Sequence, residues 1–214
     1  MFTFQDVVYK DILKLNKLTI NKRQITCLVG ESGTGKSTLL KLMNNMISST
    51  SGTIFYNETP VEELDPVEIR RDISMLSQSP VLFGETVKDN LEAGLIFADK
   101  PLADEEKLIE TMNYFYLHKN LEENAETLSG GEQQRLALSR MILLDSSVFL
   151  LDEPTSALDE DLEHKVMERF IDHARKHEKT VVFVTHSKTI AKAFADNIVD
   201  ITPFSIKGSV KRER

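Results

Sequence analysis

The apolar residues of this chain fall in short runs that alternate between two periods. Phe2 and Phe4 alternate with Thr3 and Gln5 over residues 2–8, the period-two pattern of a half-buried strand. Residues 12–20 and 53–56 read the same way, with Ser51-Gly52 as a turn signal ahead of the second. These three predict a small antiparallel layer. The runs at 25–29, 147–151 and 181–184 are continuous and apolar, as buried parallel strands are. Residues 73–77 and 198–201 add two shorter strands. Helical spacing appears between these runs, in Leu39, Leu40, Leu42, Met43 and Met46, and again in Leu108, Ile109, Met112, Phe115 and Tyr116. Residues 85–145 read mainly as helix, 160–177 as a charged amphipathic helix, and 188–195 as a short one. Strands alternating with helices predict an α/β class with a parallel sheet.

The turn between the strand at 25–29 and the helix that follows carries the sharpest chemistry. Gly30-Glu31-Ser32-Gly33-Thr34-Gly35-Lys36-Ser37 fits the P-loop pattern G-x-x-x-x-G-K-[ST] without a mismatch. Glycines let successive backbone N–H groups point into one concavity, and the helix N-terminus behind them adds positive potential. Lys36 is expected on the β- and γ-phosphates and the Ser37 hydroxyl on Mg²⁺, with Thr38 adding a phosphate contact. A dinucleotide fingerprint fits poorly, because Thr38 stands where its third glycine would be.

Two acids, Asp152 and Glu153, close the apolar run that ends in Leu150-Leu151. Carboxylates at the C-terminal end of a buried parallel strand are costly unless they pair or work, and that edge of an α/β sheet is where ligands bind. Asp152 is therefore expected to hold Mg²⁺, through water, and Glu153 to act as general base on the attacking water. Gln78 follows the strand at 73–77 and offers Mg²⁺ a side-chain oxygen. His186 follows the strand at 181–184 and is placed to contact the γ-phosphate and hold the water. Farther along, Ser129-Gly130-Gly131-Glu132 forms an S-x-x-E capping box before the run 136–144, a second helix end suited to an anion. One nucleotide needs only one such end. Two of them suggest a head-to-tail dimer, each nucleotide meeting the P-loop of one subunit and the Ser-Gly-Gly end of the other.

Composition narrows the setting. The 214 residues, 41% of them hydrophobic, suit one large domain or a core with a subdomain. No stretch reaches the roughly eighteen apolar residues of a membrane-spanning helix, and the N-terminus does not read as a signal peptide. The single cysteine, Cys27, fits a reducing compartment and a packing role. A net charge of −8 argues against nucleic-acid binding. Much of it lies in residues 99–126, where eight acids face three lysines, the composition of a solvated helical surface. Residues 203–214 are expected to form a flexible tail.

These motifs, in this order, resemble the nucleotide-binding domain of an ATP-binding cassette (ABC) ATPase. Residues 30–37 match its Walker A motif, Gln78 its Q-loop, 128–135 its signature and 148–153 its Walker B strand. Ser156-Ala157-Leu158-Asp159 matches its D-loop and His186 its switch histidine. The resemblance implies a P-loop NTPase (RecA-like) core, an antiparallel β-subdomain, and an α-helical subdomain inserted at about 84–145. It implies ATP with Mg²⁺, and a dimer of ATPase subunits, homomeric or heteromeric, in which Ser129, Gly130, Gly131 and Glu132 contact the opposing nucleotide. It also implies an adenine-stacking aromatic, for which Tyr9 is the candidate, standing equally well as core packing. A separate transmembrane permease subunit follows, with this chain cytoplasmic and peripheral on the inner face of the cell membrane, and Phe83 as a candidate contact that stands equally well as ordinary packing. The mixture of motifs resembles standalone subunits of metal-export (iron-exporter) systems. The alternative is a soluble, non-transport ABC ATPase of DNA repair, chromosome handling or translation.

Overall fold

The computed structural model describes residues 1–206. The N-terminal half runs β1 (Phe2–Tyr9), β2 (Leu13–Ile20), β3 (Ile25–Val29), α1 (Lys36–Met43), β4 (Ser51–Tyr56), β5 (Thr59–Pro60), α2 (Pro66–Asp72) and β6 (Ile73–Leu76). The remainder runs α3 (Val87–Phe97), α4 (Glu105–Tyr114), α5 (Gly130–Leu144), β7 (Val148–Asp152), α6 (Glu160–Lys176), β8 (Thr180–Val184), α7 (Lys188–Phe194) and β9 (Asn197–Asp200).

Two sheets result. An antiparallel one has the order β2-β1-β4-β5, and a five-stranded one the order β6-β7-β8-β3-β9. Every pairing in the second is parallel. Its central strands are buried on both faces, and alternate residues serve different cores. Val148, Leu150, Val182 and Val184 pack with α1 and the antiparallel sheet. Phe149, Leu151, Val181, Phe183 and Cys27 pack with α5, α6 and α7. Burial pushes the Cys27 thiol up to about 12, which makes it an inert packing residue. A third core joins α3, α4 and the first half of α5 through Val87, Leu91, Leu108, Met112 and Leu136.

The antiparallel sheet departs from its sequence pattern at one point. Register between β1 and β4 shifts between Gln5 and Val8, with Asp6 at φ +49°. The bulge moves the buried face from Phe2 and Phe4 to Val7. Ser51-Gly52 lies within β4, not in a turn before it, and Gly52 fits the bulge with φ +76°. A Cβ there would stand 2.2 Å from the Asp6 carbonyl oxygen. Gly52→Ala is expected to cost about 1–3 kcal/mol and to lower the melting temperature by circular dichroism. An unchanged melt would contradict the close approach.

Other differences have local causes. Helix α2 is capped by Asp65, which accepts from the Val67 and Glu68 N–H groups, with Pro66 in its first turn. These signals are short and polar, and no apolar periodicity announces the helix. The 85–145 stretch divides into three α-helices, and the apolar stripe divides with it. Leu108, Met112 and Phe115 are buried, Ile109 is exposed, and Tyr116 turns away at φ +58° under the Arg169 guanidinium. Met46 lies past the end of α1 and is exposed. Residues 203–206 are not loose. Ser205 bridges to Leu13, and the Ile206 N–H donates to the Ile12 carbonyl at 3.1 Å. The rest of the expected tail, 207–214, lies outside the described residues.

Candidate functional site

Strand β3 delivers the P-loop to the C-terminal edge of the parallel sheet. Gly30, Gly33 and Gly35 all take positive φ, which curls the loop between strand and helix. The Lys36 ammonium lies across the curl and donates to the carbonyls of Gly30 at 2.8 Å and Glu31 at 2.9 Å. Thr34 closes the turn through its hydroxyl to the Glu31 carbonyl at 2.8 Å. Gly35 caps α1 with no side-chain hydrogen bond. The other six α-helices among the described residues each receive a side-chain cap, from Asp65, Thr86, Asp104, Ser129, Asp159 or Ser187. The first-turn N–H groups of α1, with Ser37 and Thr38 in that turn, are thus left for an anion. Glu31 and Ser32 form the exposed outer arc of the loop.

Three further strands bring their C-terminal residues to the same edge. Gln78 follows β6, Glu153 follows β7, and His186 follows β8. They meet on one carboxylate. Glu153 Oε2 accepts from Gln78 Nε2 at 2.9 Å, and Oε1 lies 3.0 Å from His186 Nε2. The Glu153 backbone has φ +50°, and its N–H donates to the Val184 carbonyl at 3.1 Å. A non-glycine residue held in that region is a strain that clusters at functional sites.

Asp152, one residue earlier, is nearly buried at the end of β7. Burial raises its carboxyl above the ordinary range and the Glu153 charge adds to this, while a hydrogen bond from Ser37 and the positive charges of Lys41 and Lys36 work against it. Ser37 and Asp152 are oxygen donors in contact with each other, and the Gln78 side chain stands on the adjacent Glu153, a set that suits a hard divalent cation. Among the described residues no group of three or more His, Cys, Asp or Glu could hold an ion by itself. Ser37 and Asp152 alone would leave most of a hard cation's shell to phosphate and water oxygens.

The raised carboxyl has a consequence for stability. A folded-state pKa above the unfolded one means the folded chain holds that proton more tightly, so stability falls as pH rises through the folded value. Above it, an ionised Asp152 weighs against the fold. Asp152→Asn is expected to melt higher than wild type at neutral pH without nucleotide, and to lose that advantage in acid. Thermal melts at both pH values check this, and a lower melt at neutral pH would contradict it.

The Ser-Gly-Gly end caps α5 as the capping-box pattern predicts. The Glu132 N–H donates to Ser129 Oγ at 3.3 Å, and the Ser129 N–H donates to Glu132 Oε2 at 2.8 Å. Ser129 and Gly130 are exposed. Glu132, expected to contact the opposing nucleotide, has partners within its own copy. Its carboxylate is committed to the cap and to an ion pair with Lys119 at 3.2 Å, and the Ser129 N–H holds it below the usual range. Within one copy the carboxylate thus serves as the cap of α5. Lys119 and Gln134 escaped the sequence reading. Gln134 is buried and hydrogen-bonds the loop after Glu153, although only its place in the signature stretch could have marked it.

Tyr9 is half-buried where β1 turns into β2, with Lys10 Nζ 5.2 Å from its ring centre. Ile12 and Leu13 of the same turn lie against Gly35, so Tyr9 belongs to the P-loop end of the antiparallel sheet. Phe83 lies elsewhere, between the Arg140 guanidinium at 4.6 Å and the Phe97 ring at 5.3 Å.

Residues 13–156 match the sequence pattern of the family described as ABC transporter. The chain belongs to that family. It is an ABC ATPase cassette with the P-loop NTPase fold. It is 37% identical over 192 residues to the "Probable iron export ATP-binding protein FetA" of Escherichia coli, covering 88% of this chain and 84% of that one. It is also 37% identical over 185 residues to the mesentericin-Y105 transport/processing ATP-binding protein MesD of Leuconostoc mesenteroides. There the match covers 82% of this chain and only 25% of the longer protein. Among solved structures, the post-hydrolysis dimer of the cassette MJ0796 with ADP and Pi superposes with a TM-score of 0.83 at 28% identity. That match covers 97% of this cassette and 95% of the other.

Proposed function

We propose that this chain is the ATP-binding and ATP-hydrolysing subunit of a membrane transporter, working as a head-to-tail dimer on a separate transmembrane subunit. The observation that carries the catalytic reading is the convergence of Gln78 and His186 on the Glu153 carboxylate, at the same sheet edge as the P-loop.

In this reading the concavity of Gly30–Gly35, the N–H groups of α1 and Lys36 Nζ bind the β- and γ-phosphates of ATP. Tyr9 stacks on the adenine. Glu153 takes a proton from the attacking water as its oxygen bonds to the γ-phosphorus and the bond to the bridging oxygen breaks. His186 orients that carboxylate and the water from one side and Gln78 from the other. Ser37, Asp152 and Gln78 would hold Mg²⁺, which when bound neutralises charge on the phosphate oxygens. The Ser129-Gly130-Gly131 end, exposed at Ser129 and Gly130, completes the site of the partner copy. The dimeric cassette MJ0796, captured with ADP and Pi, supports a dimer of this kind.

A membrane partner is supported by the surface beside the Gln78 loop. Val81, Ile96 and Phe97 are exposed there, and Ile96, Phe97 and Phe83 line a cavity of about 400 Å³. Among the described residues no helix is long and apolar enough to cross a membrane. As the ATPase subunit of a transporter, the chain would sit peripherally on the cytoplasmic face of the membrane, against that transmembrane subunit. The transported substrate does not follow from the relatives, which are named for iron export and for mesentericin transport. Iron export is one candidate among several. Co-purification of the tagged chain from native membranes in mild detergent tests this part. A stoichiometric multi-span protein is expected, and a soluble or nucleic-acid partner in its place would overturn the reading.

A further inference from the structure

The side chain of Gln134 occupies a position that none of the site roles above requires. It sits in the second turn of α5 and is 2% exposed. All of its hydrogen-bonding partners lie on one other segment, the loop that leaves Glu153. Nε2 donates to the Glu153 carbonyl at 3.4 Å and to Ser156 Oγ at 3.1 Å. Oε1 accepts from the Ala157 N–H at 3.0 Å. A buried amide is costly unless satisfied, and here the satisfaction comes from the backbone of the proposed base and the residues just after it.

A second observation places the same two segments against each other. A Cβ on Gly131 would meet Leu158 Cδ2 at 2.7 Å and the Ala157 carbonyl oxygen at 3.1 Å. The start of α5 thus packs on this loop without room for a methyl group. Glu153 itself is in the left-handed region, where a residue bearing a Cβ persists only when its surroundings over-determine it. Its N–H is fixed by the Val184 carbonyl, and its carbonyl accepts from the Ser156 N–H at 3.3 Å as well as from Gln134.

We propose that Gln134 is a positioning residue for ATP hydrolysis: it clamps the backbone on the C-terminal side of Glu153, aims that carboxylate, and ties it to the helix whose exposed end carries Ser129. The inference rests on the reading of Glu153 as general base. Gln134 acts through Glu153 and touches no reacting atom. Its loss should leave nucleotide binding at the P-loop intact and reduce the chemical step, since a misplacement on the order of 1 Å can cost about 100-fold in rate.

The test compares steady-state ATPase kinetics of the full chain with Gln134→Met and Gln134→Glu. Methionine keeps the volume and removes every hydrogen bond. Glutamate keeps an acceptor for the Ala157 N–H but loses the donor to the Glu153 carbonyl and places charge beside it. Both are expected to lose roughly 10- to 100-fold in kcat with KM for ATP within about twofold. In a Glu153→Gln background Gln134→Met should lower the residual turnover no further, because the group it aims is already gone. Wild-type kcat in both variants would overturn the proposal. So would a fall in kcat matched by loss of ATP binding in both, which marks a purely structural role, or an undiminished effect in the Glu153→Gln background. If Glu153→Gln alone turned over like wild type, the base assignment itself would fail. A dead Glu153→Gln beside fully active Gln134 variants would reject this inference alone.

Discussion

Glu153→Gln is expected to lower ATP turnover by about 10²–10⁴-fold, the range general-base catalysis contributes, while leaving ATP binding intact. The substitution is nearly isosteric. Its amide oxygen can still accept from Gln78 or His186, which now hold the carboxylate at 2.9 and 3.0 Å. What disappears is the group that takes the proton from water. The P-loop, with its curled backbone and Lys36, lies on β3 and α1 and is untouched by the change. With binding retained and hydrolysis blocked, the nucleotide-bound dimer has no chemical exit. The variant should therefore elute as a dimer with ATP on a sizing column. Phosphate release and elution volume are read together. Wild-type turnover would show that Glu153 is not the base.

Ser129→Arg is expected to reduce turnover by at least about 100-fold, the scale of removing a transition-state contact, yet to leave ATP binding by the monomer unchanged. Ser129 is exposed at the start of α5, and its hydroxyl caps the Glu132 N–H. Losing the cap alone costs about 1 kcal/mol of stability, too little to stop the enzyme. Ser129→Ala separates that part, and should fold and hydrolyse far better than the arginine variant. Arginine adds a long cation where the partner's nucleotide is proposed to lie. Binding of a fluorescent ATP analogue at a concentration where the chain is monomeric checks the second half of the prediction. Loss of binding there would refute a site shared between copies.

The parts of this site that are local in sequence were legible in sequence. The P-loop needs only its own glycines, its lysine and the flanking strand and helix, and all lie within residues 25–43. The placing of Gln78, Glu153 and His186 at one edge was legible for another reason, although their meeting on the Glu153 carboxylate was not. Each follows an apolar strand, and parallel strands bring their C-terminal ends to one edge. What was not legible depends on contacts between distant segments. The bulge at Asp6 exists because β1 must pair with β4 as well as β2, and Gly52 reads as a turn until that pairing is known. The Glu132 role depends on Lys119, which approaches from the segment between α4 and α5. Gln134 looks like one of two equivalent glutamines until burial separates it from Gln133, whose amide donates to the Leu128 carbonyl of its own segment. The rest of the family's machinery could be read from residue types at fixed spacing, whereas these needed the packed fold.

In the proposed dimer each ATP is hydrolysed between the P-loop of one copy and the Ser129 end of another. Mixing two inactive variants, Lys36→Ala and Ser129→Arg, tests it most directly. In a mixed dimer one site combines both defects, and the other combines an intact P-loop with an intact Ser-Gly-Gly end. Turnover absent from either variant alone should return on mixing, in proportion to the mixed dimer formed. If the mixture stays as inactive as its components while mixed dimers demonstrably form, the shared site is contradicted.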